Sequence, residues 1–187
     1  MAKSTHISRA ARVEPLAGRI SAAAGVALTP AKPANRISLR ADPADLEALS
    51  KALGIELPLA PKSSANGANG RLALWLGPDE WLIIDETGDP MADLANAKGL
   101  FSATDISHRN TAILVTGKGA RATLAGGCPQ DLREAFFPVG AASRTVMGKI
   151  EVVIHRSAET AYRVECWRSF SDYAFNLLTE TARDCLA

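Results

Sequence analysis

Apolar positions along the chain alternate between a period of two and a period near three and a half, and each switch marks an element. RISLR (36–40) alternates, with Ile37 and Leu39 on one side, and predicts a half-buried strand. The next stretch, ADPADLEALSKALG, brings Leu46, Leu49 and Leu53 to one helical face. Asp42 suits the N-cap, Pro43 the first helical position and Gly54 the stop. PKSSANGANG (61–70) reads as a loop. RLALWL and WLIID then flank the tight turn GPDE, which predicts a hairpin. Trp75 and Trp81 bracket that turn, placed to cap the sheet edge. A short helix over 90–98 starts with a proline and ends at Gly99.

The second half repeats this order. DISHR (105–109) is turn-like, TAILV (111–115) a strand, and GARATLA (119–125) a short helix closed by Gly126 and Gly127. KIEVVIHR (149–156) is a strand with Ile150, Val152 and Ile154 inward; AYRVECW (161–167) is another, with Tyr162, Val164 and Cys166 on one face. The last helix takes Ser169 as N-cap with Asp172 three residues on. Its inner face is Phe170, Tyr173, Ala174, Leu177, Leu178, Thr181, Ala182 and Cys185. Two consecutive βαββα units therefore predict an α+β fold, with antiparallel sheets and helices layered on them. They form one domain over 36–187, in halves of about 36–104 and 105–187. Residues 1–35 show no sustained apolar period and carry Lys3, Arg9, Arg12, Arg19 and Lys32 against Glu14 alone. Such a segment buries too little to offset its ordering entropy and reads as a flexible basic arm.

Composition narrows the function classes. A chain of 187 residues suits one domain or two small halves sharing a core. A net charge of +1 gives no global pull toward nucleic acid or membrane, and 5% aromatic residues leave little for a base-stacking platform. Cys128, Cys166 and Cys185 are odd in number and lack CxxC spacing, against a zinc site or a disulfide framework. Reduced thiols in a cytoplasmic protein are the expectation. LALWL and WLII are far too short to span a bilayer, and no signal-peptide core is evident.

Three stretches invite a chemical reading. DISHR gathers Asp105, Ser107 and His108, as a hydrolase would. On an extended segment Asp105 and Ser107 face one way and His108 the other, so no relay forms among them. The remaining histidines, His6 and His155, lie in the arm and on a strand. The favoured reading is that Asp105 and Ser107 bond local backbone, leaving His108 or Arg109 exposed. VTGKGARA matches GxGxxA between a strand and a helix, the outline of a dinucleotide fingerprint. Its helix is short, no second strand ends in an acid at the usual distance, and a glycine-mediated strand-to-helix turn explains the motif equally well. Arg109, Lys118, Arg121, Arg133, Arg144 and Lys149 surround this unit, either as a solvated face or as an attractor of a carboxylated ligand or acidic partner. Phe136 and Phe137 are core or an apolar patch. Arg168 sets the last cap or, beside Trp167 and Phe170, anchors an interface. No catalytic, cofactor-binding or metal residue emerges; the interface candidates are His108, Arg109, Phe136, Phe137, Arg168 and Phe170.

LGPDEWLII, DISHRNTAILVTG, GCPQDL, FFPVGAASRTVMGKIEVVIHR and RSFSDYAFNLL follow one another over about residues 72–185. As a set they resemble the gamma subunits of heterotetrameric sarcosine oxidase. More distantly, DISHR with the following strand and VTGKGA is similar to the folate-binding aminomethyltransferases of glycine cleavage. The resemblance implies a non-catalytic gamma subunit in a cytoplasmic alpha-beta-gamma-delta heterotetramer, packed against the alpha subunit. That assembly oxidatively demethylates sarcosine to glycine, with hydrogen peroxide and 5,10-methylenetetrahydrofolate as products. FAD, FMN and NAD are implied in its large subunits and zinc in its smallest, with none in this chain. The alternatives are a stand-alone folate-binding aminomethyltransferase-like protein, with Asp105 or His108 near the folate, and a dinucleotide-binding protein. A parallel sheet beside Gly117–Gly119 would favour the last.

Overall fold

Each long strand carries apolar side chains on one face and a second, partly polar set on the other, and both faces are buried. The computed structural model describes residues 13–23 and 25–184. The chain begins with β1 (Ser21–Ala23) and β2 (Val26–Pro30), then β3 (Asn35–Ala41), a 3-10 turn at Pro43–Asp45 and α1 (Leu46–Leu53). β4 (Ser64–Asn66), β5 (Leu72–Gly77), β6 (Glu80–Asp85), α2 (Pro90–Leu94) and β7 (Phe101–Asp105) follow. The remainder is β8 (Asn110–Thr116), α3 (Ala120–Ala125), β9 (Ala142–Met147), β10 (Ile150–Ala158), β11 (Ala161–Trp167), a 3-10 turn at Arg168–Phe170 and α4 (Ser171–Asp184).

The strands form a six-stranded sheet, ordered β1-β2-β8-β11-β10-β9, and a five-stranded sheet, ordered β4-β5-β6-β3-β7. Every pairing is antiparallel. On one face of the five-stranded sheet, Ile37, Leu39, Trp81 and Ile83 meet Leu46, Leu49 and Leu53 of α1 and Leu94 of α2. The alternate residues Leu72, Leu74, Leu82 and Ile84 meet Ala142 and Val153 of the other sheet. Beyond that sheet, Ile113, Val115, Val152, Ile154 and Val164 pack with Leu124, Phe137, Ala174, Phe175 and Leu178. The layers run helix, sheet, sheet, helix.

Several sequence expectations need correction. The basic arm is not an arm over Ser21–Pro30: Val26 and Leu28 are buried, and β2 pairs with β8 from Ala27↔Thr116 to Pro30↔Ile113. Two buried residues at alternate positions are enough to seat so short a strand on an existing edge. Arg19 is likewise placed, 2.6 Å from Asp172 and with its guanidinium 4.4 Å from the Phe175 ring centroid. Lys3, His6, Arg9 and Arg12 lie outside the described residues. Trp81 does not cap an edge; it is fully buried, and its indole N–H donates to the Pro58 carbonyl at 2.7 Å. The last helix begins two residues later than Ser169, and its face is rotated so that Phe175 is buried while Phe170 and Tyr173 are both 39% exposed. Cys185 lies outside the described residues.

Candidate functional site

DISHR closes the turn from β7 to β8, and its polar groups are spent on holding that turn. The Ser107 amide donates to Asp105 Oδ1 at 2.8 Å, and the Arg36 amide donates to Ser107 Oγ at 2.9 Å. The Ser107 hydroxyl and amide hold the Asp105 carboxyl below the usual carboxylate range. Ile106, Arg109 and Asn110 add the backbone bonds that tie the turn together and to β3. His108 and Arg109 are exposed. A cleft of about 500 Å³ beside the turn is lined by Glu14, Lys32, Arg36, Glu86, Asp105 and His108, among others. The Ser107 hydroxyl is engaged with the Arg36 backbone, at 2.9 Å from its amide and 3.4 Å from its carbonyl, and with the Asp105 carboxylate of the same turn.

Behind the turn, the layer between the sheets holds a buried charge cluster. Glu165, 1% exposed, accepts from Arg36 Nε at 2.7 Å and from Arg163 Nε at 2.7 Å. Arg36 also donates to the Ala34 carbonyl at 2.9 Å, and Arg163 reaches Glu86 at 3.5 Å. His155 on β10 pairs across to Arg163 and lines the same layer, its Nε2 3.3 Å from Ser64 Oγ; burial first, then Arg163, lowers its pKa to about 4. Cys166 faces the other way, and burial, aided by Glu165, pushes its thiol up to about 12, which makes it inert.

The sequence-predicted interface candidates separate into two places. Arg109 lays its guanidinium 3.9 Å from the Trp167 ring centroid, and Trp167 stacks on Phe170 at 5.8 Å. Arg168 is tied beside them by its backbone amide, which donates to the Arg109 carbonyl at 2.7 Å, while its guanidinium donates to the Val13 carbonyl at 2.8 Å. His108 precedes Arg109 in the same exposed turn. Trp167 is 37% exposed, so an Arg–Trp–Phe ladder lies open on the surface. Phe136 stands apart, half exposed, with Arg133 over its ring at 4.9 Å. Phe137 is removed from the candidates: it is fully buried in the core under the six-stranded sheet. Its neighbour takes the solvent side because the 3-10-like bends at 133–137 turn only one of the two rings inward.

Gly117 and Gly119 stand in a setting other than the one a dinucleotide fingerprint needs. Both strands beside β8 are antiparallel to it, so the dinucleotide reading loses the parallel sheet it needs. Gly117 has φ +114°, and a Cβ there would collide with the Gly25 carbonyl; Gly119 donates its amide to that same carbonyl at 3.2 Å. The glycines exist so that the β1–β2 hairpin can lie against this bend.

The family model described as sarcosine oxidase, gamma subunit family, matches residues 38–184. The chain belongs to that family. Among curated relatives, the sarcosine oxidase subunit gamma of Corynebacterium sp. (strain U-96) is 31% identical over 150 residues, 78% of this chain and 73% of the relative. The Arthrobacter sp. subunit gamma is 34% identical over 149 residues, 77% and 73% of the two chains. Among solved structures, a chain of the heterotetrameric sarcosine oxidase from Corynebacterium sp. U-96 superposes with a TM-score of 0.80 at 27% identity, over 92% of this chain and 91% of that one. The glycine cleavage aminomethyltransferase of Bartonella henselae shares the fold, with a TM-score of 0.59 at 12% identity, over 86% of this chain and 49% of that one.

For this gamma-subunit family member, sequence reading missed the cluster of Arg36, Arg163 and Glu165. Alternation does put Arg163 and Glu165 opposite Tyr162 and Val164, but a polar strand face ordinarily meets water. Nothing in one sequence says that a second sheet covers it. Among the described residues, no three His, Cys, Asp or Glu side chains gather as metal ligands would, and no helix is long and apolar enough to cross a membrane.

Proposed function

We propose that this chain is the non-catalytic gamma subunit of a cytoplasmic heterotetrameric sarcosine oxidase, and that it docks on the alpha subunit. The observation that carries the reading is the near end-to-end superposition on a chain of that assembly, 92% of one and 91% of the other. The site geometry supports it. Asp105 and Ser107 are consumed by a turn, Cys166 is inert, and the most distinctive exposed feature is the Arg109–Trp167–Phe170 ladder. Aromatic and arginine side chains of this kind are the usual anchors of protein interfaces. The alpha subunit is the partner we assign to this ladder.

In this reading the assembly demethylates sarcosine to glycine, releasing hydrogen peroxide and forming 5,10-methylenetetrahydrofolate. FAD, FMN, NAD and zinc belong to the other subunits. The alternative is a stand-alone aminomethyltransferase-like protein; the likeness to the Bartonella henselae enzyme, at 12% identity, is one of fold. The test is co-expression of the four subunits with and without this chain, followed by recovery of the assembled oxidase. Omission is expected to cut the yield of assembled, sarcosine-oxidising complex sharply. Full recovery without the chain would sink the assembly role.

A further inference from the structure

A second cleft, of about 640 Å³, opens on the far side of the 117–121 bend, between the β10–β11 turn and the segment around Glu134 and Val139. Tyr162 and Arg156, 1% and 4% exposed, line it. The Tyr162 hydroxyl and the Arg156 Nε are both buried and meet no hydrogen-bond partner among the described residues. Buried donors left in that state are costly, so two at one cleft call for a ligand acceptor. The rest of the Arg156 guanidinium is already oriented: Nη1 donates to the Phe137 carbonyl at 2.8 Å and to Glu134, and Nη2 donates to the Glu159 carbonyl at 2.9 Å. Lys118 and Arg121 are exposed on the walls.

The charge balance sets the ligand class. Lys118, Arg121 and Arg156 face Glu134 and Glu159, which leaves one positive charge unmatched. A monoanion suits that balance, whereas a phosphate dianion would meet two carboxylates. Glu134 shows which kind of acceptor the guanidinium donates to: a carboxylate, on a 65% exposed side chain that reaches inward to a 5% exposed arginine. Burial raises the Tyr162 pKa, so the hydroxyl stays protonated and available as a donor. We propose that this cleft binds a small organic monocarboxylate, which accepts from the Tyr162 hydroxyl and Arg156 Nε on its floor and from Arg121 on its wall.

The test is calorimetric titration of the full chain with sodium benzoate at low salt, with inorganic phosphate as the comparison. Saturable one-to-one binding of benzoate is expected, weakened roughly tenfold by Tyr162→Phe and several-fold by Arg121→Ala. Tyr162→Phe should melt no lower than the parent, because it removes an unsatisfied buried hydroxyl. Glu134→Gln should tighten binding, since it removes the competing carboxylate; a merely structural cleft would give no such gain. The proposal is overturned if benzoate shows no saturable binding, if Tyr162→Phe binds as the parent does or melts well below it, if Glu134→Gln weakens binding, or if phosphate binds as tightly as benzoate.

Discussion

Glu165 is the residue on which the layer between the sheets depends. Its carboxylate is nearly inaccessible and is shared by the guanidiniums of Arg36 on one sheet and Arg163 on its own strand. Removing it leaves two buried cations facing each other. Glu165→Leu is therefore expected to cost about 3–5 kcal/mol, read by urea unfolding of the full chain. His155, nearby, reports on the same layer through pH. Burial, with Arg163, lowers its pKa from the ordinary 6.5 to about 4, so the folded protein prefers the neutral ring. That contribution is intact above about pH 6.5 and is lost as pH falls through 4, a loss of about 3 kcal/mol. His155→Leu should flatten the stability profile across that window, and an unchanged slope would place the titration elsewhere.

At the scale of elements, the β1–β2 hairpin shows what a local pattern carries and what it does not. Val26 and Leu28 are too few to announce a strand, yet β8 offers an edge and Gly117 the clearance. Gly117→Ala would combine a positive φ with a clash against Gly25, a cost of about 3 kcal/mol. Amide exchange is expected to rise over 21–30 first, with β10 and β11 still protected. Elements with long periodic runs, such as α1, β5, β6, β10 and β11, were legible because their own side chains build the core. β4, β7 and β9 were not: Ser64–Asn66 and Phe101–Asp105 have no fully buried residue, and Ala142–Met147 buries only its ends. These are edge strands in three cases out of three, held by a neighbour's hydrogen bonds more than by their own apolar faces. The turn chemistry of DISHR was readable, since Asp and Ser bond backbone locally. The Arg156–Tyr162 cleft was not, because it is assembled from segments remote in sequence.

For the whole molecule, four layers place two sheets at the centre, with helices on both outer faces. The Arg109–Trp167–Phe170 ladder sits where β11 ends and β8 begins, open to solvent. If the proposed docking on the alpha subunit uses this ladder, Trp167→Ala is expected to weaken it about thirtyfold, measured by surface binding kinetics, with the fold retained. Unchanged binding would move the interface away from the ladder. The most direct test of the central claim is gentle purification of the tagged chain from its host, with an absorbance spectrum and a sarcosine-dependent peroxide assay. The expected result is a yellow, active complex far heavier than the 19.7 kDa chain, and a colourless, inactive chain once separated from it. A chain that elutes alone, colourless and without larger companions, would contradict it.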